Sequence, residues 1–517
     1  MPADFDIGIV GAGFGGALMA MIARRLDKSV VLLEKGSHPR FAIGESSTPL
    51  ANLILEELSR RWDLPRIRPL AKWGSWQKAY PNIACGLKRG FTFFDHKLNE
   101  PWKYQPDHRN ELLVAASPRD EIADTHWFRA DVDQFLVNEA ISEGAEYLDR
   151  IELDRPEFVG DMVKLSGSRA GKPIRLQVRF LIAASGPRGF LQQTLKLPAE
   201  KFPTMPATQG LYSHFENVQR FADLNRHDEA PPYPIDDAAV HHIFPGGWIW
   251  VLRFNNGITS AGVAASDELA KQLEFGNRAK AWERLLNLLP SVREQFASAK
   301  PVREFTHAQP LAFRSSRVSA ERWTMLPHTA GFVDPLLSTG FPLNLLGIER
   351  LAETIGLRDR SRFEARMEEY SRQTLAELDF TALIVSTLYA DMGDFELFSA
   401  LSLLYFVAAS FSETLRRLGK TPEGFLLNEH PAFGPAARKI AHAALNQPLL
   451  PHARTSLLKD IRKVIEPFNI AGLSDPARQN WYPVLADDLL QNHGKLGASE
   501  QQIADVIVRC GWDSTGA

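Results

Sequence analysis

Residues 5–34 read FDIGIVGAGFGGALMAMIARRLDKSVVLLE. Apolar periodicity predicts a strand over 5–10, a tight turn over 11–16, a helix over 17–26 and a second strand over 29–34. The turn is Gly11-Ala12-Gly13-Phe14-Gly15-Gly16. Gly11 makes the bend, Gly13 lets the backbone approach a pyrophosphate, and Gly16 lets the helix close on the strand. Free N–H groups and the positive dipole end of the helix then face the phosphates. Glu34 closes the second strand 18 residues after Gly16, where a carboxylate can accept hydrogen bonds from a ribose diol. A strand before the glycines and a helix after them make this a Rossmann-type dinucleotide site, for NAD or FAD.

The chain has 517 residues, 44% hydrophobic and 23% charged, so it can bury a substantial core in more than one domain. A net charge of −3 supplies no field to draw it to nucleic acid or to an acidic membrane. The two cysteines, Cys85 and Cys510, are too few for a disulfide framework or a metal knuckle, and both are expected to be inert and partly buried. No metal site is expected. The most apolar run, 397–411 (LFSALSLLYFVAASF), has 15 residues, flanked by Asp391, Asp394, Glu396 and Glu413. That is short of the ~20 needed to span a bilayer, so it reads as a buried helix. Residues 1–6 are short and acidic, unlike the basic start of a signal peptide, and a cytoplasmic location is expected.

Further along, a helix is predicted over 131–143, β-rich runs over 162–167, 174–184, 210–215 and 239–265, and helices over 268–298 and, as a pair, 348–378. Beyond about 380 the chain reads as helical, with breaks near 419–424 and 431–434. This order predicts an α/β fold with a discontinuous cofactor domain (1–195 and 310–350), a β-rich insert on the substrate side (196–309) and a helical C-terminal region (351–517). His241-His242 is expected at a strand edge with one ring exposed. Arg24-Arg25, Arg60-Arg61 and Arg416-Arg417 are expected on solvated helix faces.

Arg40, the loop Gly44-Glu45-Ser46-Ser47-Thr48-Pro49, Arg129 in WFRADVDQFL and the turn Ala184-Ser185-Gly186 carry a resemblance. Together they resemble the single-dinucleotide flavoproteins of the aromatic-hydroxylase, geranylgeranyl-reductase and halogenase superfamily. The resemblance implies FAD, with Glu45 and Ser46 near the flavin, Arg40 and Arg129 reaching the cofactor, and Gly186 in a small-residue turn beside it. No second G-x-G-x-x-G unit for NADPH follows.

Phe332-Val333-Asp334-Pro335-Leu336-Leu337-Ser338-Thr339-Gly340 narrows the family, because it resembles the F-x-D-P-x-x-S-x-G signature of flavin-dependent halogenases. The resemblance places Asp334 and Pro335 at the flavin. It also assigns a halide, chloride or bromide, to the backbone N–H groups of Thr339 and Gly340, and a run of such groups at a helix start suits an anion. Gly247-Trp248-Ile249-Trp250-Val251-Leu252-Arg253 resembles the family's G-W-x-W-x-I-P motif, whose tryptophans keep organic substrate off the flavin. On a strand, Trp248 and Trp250 would face one side. Lys88, in LKRGFTFFDH, falls where halogenases carry the lysine that relays hypohalous acid; Lys72 and Lys78 are the alternatives.

The chain departs from the pattern at three places. Leu337 stands where tryptophan halogenases carry a glutamate, which points toward phenol or pyrrole substrates that supply their own activation. Leu252-Arg253 replaces Ile-Pro, and Pro327-His328 replaces the Gly-Asp pair whose aspartate binds the ribityl chain. The resemblance spans roughly residues 5–355. It implies that FADH2 from a separate reductase, O2 and halide make hypohalous acid, and that Lys88 passes the halogen to an electron-rich phenol, pyrrole or indole. The substrate is a small aromatic molecule, free or tethered to a carrier protein, and the enzyme a monomer or homodimer. A flavin monooxygenase, an alkene reductase or dehydrogenase on the same fold, and a redox-silent flavin-binding protein are the alternative readings.

Overall fold

A computed structural model describes residues 3–446 and 448–512; Met1 and Pro2, at the head of the acidic stretch before the first strand, lie outside it. Phe5–Val10 forms the centre of a parallel sheet, with Val30–Leu33 on one side and Lys172–Ala183 on the other. Glu146–Leu148 continues it beyond Val30–Leu33, and Trp323–Met325 beyond Lys172–Ala183. Strands covered on both faces read as unbroken apolar runs, and Ile7, Ile9, Val31, Leu32 and Leu33 are all buried. The helix Phe14–Arg25 makes the crossover and packs with the helix Arg129–Ser142.

A second sheet runs in the order Thr208–Glu216, Thr259–Ser266, Gly247–Arg253, Ala239–Phe244, Gly90–Asp95, Glu111–Ala115, Trp481–Tyr482. It draws strands from beyond the predicted insert of 196–309. Gly90–Asp95 and Glu111–Ala115 come from the stretch assigned to the cofactor domain, and Trp481–Tyr482 from the region read as helical. The physical reason is burial on both faces: Phe91, Phe93, Phe94, Leu112 and Leu113 gain apolar cover on joining Ala239–Phe244. The strand alternation sorts the core. Ile249 and Val251 pack into a satellite cluster with Trp282 and Leu285, while Trp248, Trp250 and Leu252 face the main core.

The helical segments also differ in detail. The 268–298 stretch splits into Asp267–Gln272, Ala279–Leu288 and Pro290–Gln295, the last opening on a proline that cannot continue its predecessor. The predicted pair over 348–378 is Gly340–Ile355 and the 31-residue Arg360–Ala390. The apolar run 397–411 lies within Phe395–Arg417, which is long and apolar enough by length and composition to cross a membrane. Leu397, Phe398, Leu401, Leu404 and Ala408 are buried in the main core.

Three surface expectations are corrected. His241 and His242 are both buried, because Gly90–Asp95 pairs outside their strand and makes it internal. Arg416 bridges Glu57 and Glu349 and so ties its helix to two others, while Arg417 pairs with Glu413 one turn back on its own helix; both side chains are largely buried rather than facing solvent. Cys85 and Cys510 are free and fully rather than partly buried, and burial pushes the Cys85 thiol up to about 12.

Candidate active site

The glycine turn is shaped by what a side chain would strike. Gly11 has φ +107°, a left-handed conformation that favours glycine, and a Cβ at Gly16 would collide with the Gly11 carbonyl. A Cβ at Gly13 would lie 3.3 Å from Arg129 Nη2 and 3.6 Å from Arg40 Nη2. Two guanidinium groups therefore converge on the glycine that opens a helix, which is where a pyrophosphate is held. Arg129 is fixed for this by a two-pronged contact with Asp133 at 2.9 Å, and its Nη1 donates to the carbonyls of Ile43 and Gly44. Glu34 accepts from the Ala12 and Gly36 N–H groups and from Arg40. Burial opposes its ionisation, but Arg40 and these N–H groups outweigh burial and hold its carboxyl below the usual range.

On the other side of the turn, a Cβ at Gly15 would collide with Asn344 Nδ2 and sit 3.3 Å from His328. His328 contacts the Ala184 carbonyl at 3.2 Å and Asn344 Oδ1 at 2.5 Å. Asn344 Nδ2 is buried without a hydrogen-bond partner among the described residues, a donor aimed at the cradle. Gly186 has φ +77°, and a Cβ there would meet nothing within 4 Å. Glycines that admit no side chain, two convergent cations and an orphaned donor fit FAD.

Lys88 ends the strand Cys85–Lys88, opposite Asp124 in antiparallel register with Asp124–Trp127. It is fully buried. Nζ donates to Ser46 Oγ at 2.9 Å and to the Ser47 carbonyl at 2.6 Å, and lies 3.8 Å from the centroid of the Phe91 ring. Burial lowers its pKa to about 7, with Asp124 working the other way. Of the alternatives, Lys78 is exposed and Lys72 half-buried. Glu45, beside Ser46, pairs through Oε1 with His214 at 2.8 Å, joining the loop to the second sheet.

The 332–340 segment is tied instead to the helix Arg360–Ala390 and, through it, to the second sheet. Asp334 accepts from the Leu336 N–H at 3.0 Å and from the Tyr389 hydroxyl at 2.8 Å; Trp248 Nε1 donates to that hydroxyl at 3.2 Å. Burial raises Asp334 to about 7. Trp248 and Trp250 are buried with ring centroids 5.7 Å apart. Pro335 is half-buried. Ser338 takes φ +52°, a strained conformation for a non-glycine residue, and sets Thr339 and Gly340 at the start of Gly340–Ile355. The first N–H groups of that helix have no partner within it. A Cβ at Gly340 would meet nothing within 4 Å. Leu337, where a glutamate was the family alternative, is buried and apolar.

An apolar cavity of about 110 Å³ is lined by Phe91, Val114, Pro342, Tyr405, Phe406 and Ala409, among others. A larger polar cleft of about 1040 Å³ shares Tyr482 with it; none of the predicted site residues lines either, and it is Phe91, under the Lys88 amine, that joins the smaller cavity to the site. The helix over 397–411 therefore does more than pack on helices, since it forms one wall of the smaller cavity. Sequence reasoning missed Asp124, His214 and Asn344, and read Tyr389 only as a possible lining of an apolar pocket, with Tyr405 and Phe406, rather than as the partner of Asp334. Each reaches the site across a long sequence separation, and none lies in a motif.

Residues 123–392 match the family described as tryptophan halogenase, and residues 9–49 an NAD(P)-binding Rossmann-like domain. The chain is 28% identical over 411 residues to monodechloroaminopyrrolnitrin halogenase PrnC of Pseudomonas fluorescens, covering 78% of this chain and 71% of that one. It is 31% identical over 353 residues to tetracycline 7-halogenase of Kitasatospora aureofaciens, covering 65% of this chain and 60% of that one. The crystal structure of halogenase PltM with phloroglucinol and FAD superposes with a TM-score of 0.81 at 25% identity, over 92% of this chain and 99% of that one.

Proposed function

The chain belongs to the tryptophan halogenase family, and from that premise we propose that it halogenates an electron-rich ring held in the cavity beside Phe91, with Lys88 handing on the halogen. It is a flavin-dependent halogenase, with FAD as cofactor and halide as co-substrate. Bound and reduced, FAD supplies the chemistry by which O2 oxidises halide to hypohalous acid.

The protein's part is holding, excluding and relaying. Gly11, Gly13 and Gly16 with Arg40 and Arg129 would hold the pyrophosphate, Glu34 the ribose, and His328 with Asn344 the chain beyond it. Glu45, Ser46, Gly186, Asp334 and Pro335 complete the wall. The N–H groups of Thr339 and Gly340 would hold the halide. Trp248 and Trp250 keep the organic ring away from the flavin and water out. The buried amine of Lys88 receives the halogen electrophile and presents it past Phe91.

One observation carries this reading: the Phe91 ring that bears the Lys88 amine also lines the apolar cavity. The apolar Leu337 supports a ring that brings its own activation, a phenol or pyrrole, over a bare indole. The substrate arrives as a small molecule or on a carrier protein. The reading includes a separate flavin reductase, a cytoplasmic location, a monomer or homodimer, and a cofactor domain of 1–195 and 310–350 less the strands Gly90–Asp95 and Glu111–Ala115, which belong to the second sheet. The family match sets aside the monooxygenase, reductase and redox-silent readings. The test is product mass spectrometry with a panel of phenols and pyrroles, with and without bromide. Brominated product supports the reading, and oxygenated product under the same conditions contradicts it.

A further inference from the structure

A second space adjoins the apolar cavity and has no part in the mechanism above. The polar cleft of about 1040 Å³ and the apolar cavity both border Tyr482. Three elements carry residues of both, in the same order. On Gly90–Asp95, Phe91 lines the cavity and Asp95, on the same strand face, lines the cleft. On Glu111–Ala115, Val114 lines the cavity opposite Phe91, and Leu112, opposite Phe93, lines the cleft. On the helix Phe395–Arg417, Phe406 and Ala409 face the cavity, and Ser399 and Leu403 the cleft. Cavity and cleft are thus successive lengths of one trough between helix and sheet. Phe91 to Asp95 is about 13 Å of strand, and Ala409 to Ser399 about 15 Å of helix. A single aromatic ring fills only one end of it.

The far end is built, not left over by a loose loop. The His108 ring stacks on Trp481 with centroids 3.8 Å apart, and Glu111 accepts from Trp481 Nε1 at 3.0 Å while pairing with His227 at 2.8 Å. These contacts pin the loop before Glu111–Ala115 to the segment that ends in Tyr482. Two polar atoms of the lining are buried without a hydrogen-bond partner among the described residues: Ser399 Oγ on the helix and Asn110 Oδ1 on the loop. Ser399 is 5% exposed. Buried polar atoms left unpaired are costly, and a bound polar group would satisfy them. The lining also carries both signs of charge. Arg454 engages Asp394 and Glu396, and Arg109 engages Asp107. Asp95 and Glu100 then stand against Lys97, Lys103 and Arg462.

Given the ring in the apolar cavity, the reading on which this rests, we propose that the cleft is a subsite for a neutral, hydroxyl-rich arm of the substrate, such as a glycosyl group. The enzyme then takes an elongated phenol or pyrrole, with ring and arm on the two sides of Tyr482. The mixed lining selects this chemistry. An anionic arm would meet Asp95 and Glu100, and a cationic arm Lys97, Lys103 and Arg462. A hydroxyl donates and accepts at once, so it serves carboxylates, amides and ammonium groups alike. It also suits both orphaned atoms, donating to Asn110 Oδ1 and pairing with Ser399 Oγ in either sense. Trp102 and Tyr482 add aromatic surface to the same lining.

The test is calorimetric binding to the full FAD-loaded chain, which needs no turnover. The probes are 4-methoxyphenol, 4-hydroxyphenyl β-maltoside, and two 4-hydroxyphenyl ethers of like length ending in a carboxylate or an ammonium. The maltoside should bind the parent about tenfold or more tighter than 4-methoxyphenol, and neither charged ether should match it. Ala400→Trp, which fills the cleft from the helix, should remove the maltoside's advantage. If that variant does not fold, Ser399→Ala decides, and should weaken the maltoside by about threefold or more. A maltoside that binds no better than 4-methoxyphenol would overturn the proposal. So would an advantage that survives the cleft variants, or a charged ether that binds tighter. Ala409→Phe, in the cavity, should weaken both phenols. If it weakens neither while Ala400→Trp still removes the maltoside's advantage, the ring lies elsewhere and the two-part substrate is overturned. In bromination the ratio of kcat/KM for maltoside over 4-methoxyphenol should fall in Ala400→Trp as the affinities do. If neither phenol is brominated for want of any hypohalous acid, the halogenase reading fails, and the calorimetry still decides whether the cleft takes the arm.

Discussion

The amine of Lys88 lies 3.8 Å from the centroid of the Phe91 ring, and the other side of the relationship is a cavity walled by that ring, Tyr405 and Phe406. The proposed relay and the proposed receptor are thus separated by one aromatic side chain. A lysine in this place is buried by the second sheet and addressed to a space that water does not favour.

If the cavity receives the ring, narrowing it should exclude substrate without touching the cofactor. Ala409 lines it from the helix Phe395–Arg417 and is half-buried. Ala409→Phe should raise KM for the aromatic substrate by about tenfold or more, the effect of roughly 1.4 kcal/mol of lost binding, with flavin content unchanged. Steady-state kinetics with flavin absorbance on the same preparation checks both.

Gly13→Val should abolish FAD binding while leaving the fold. A branched side chain at Gly13 would press on the Arg129 and Arg40 guanidinium groups and occupy the space the pyrophosphate needs. Far-ultraviolet circular dichroism should match the parent, and the flavin absorbance of the purified variant should be gone. A folded variant with full flavin content would sink the cofactor assignment.

Gly340→Ala probes the halide. Its Cβ meets nothing within 4 Å of the chain, so folding stability should change by no more than about 0.5 kcal/mol. A methyl group over the first N–H of the helix should still crowd an anion there and raise KM for bromide severalfold. In crystals soaked with bromide, an anomalous peak should lie on the Thr339 and Gly340 N–H groups in the parent. An unchanged bromide KM in Gly340→Ala would place the halide elsewhere.

Asp334 gives a pH-dependent stability with a definite sign. Burial raises its pKa from 3.8 to about 7, so the native state holds a proton that the unfolded chain has already lost in that window. Stability from this group therefore falls as pH rises from about 4 to about 7. Asp334→Asn removes the term. In flavin-free protein the variant should gain on the parent by a few kcal/mol at pH 8 relative to pH 4. Thermal unfolding of both proteins at the two values measures it, and a difference that shrinks toward alkaline pH contradicts the burial argument.

The Rossmann-type unit was readable because its information is local. A strand, a glycine turn, a helix and a second strand fit within 30 residues, and each glycine answers a steric need at its own position. Thr339, Gly340, Trp248 and Trp250 were nameable for the same reason, since each lies in a short stretch with a family signature. What stayed hidden is non-local. The hairpin of Gly90–Asp95 and Glu111–Ala115 is interrupted by the long loop between them, and it makes His241 internal only after pairing with Ala239–Phe244. Asp124 stands opposite Lys88 across two strands separated by more than thirty residues, and Tyr389 reaches Asp334, in the loop before Gly340–Ile355, from the helix Arg360–Ala390. Tyr405 and Phe406 were readable as aromatic residues of an apolar helix that could line a pocket, and they do, but Ala409 beside them and Phe91 opposite were not.

In the proposed mechanism Lys88 acts after hypohalous acid has formed, and one paired measurement tests this. Lys88→Ala and the parent are given FADH2, O2, bromide and an accepted phenol or pyrrole. Hypobromous acid is trapped in one aliquot, and brominated product is read by mass spectrometry in the other. Trapped oxidant from the variant should stay within about twofold of the parent while product falls by about 10²-fold or more, the usual scale for losing a positioned catalytic group. A Lys88→Ala enzyme that brominates at the parent rate would contradict it.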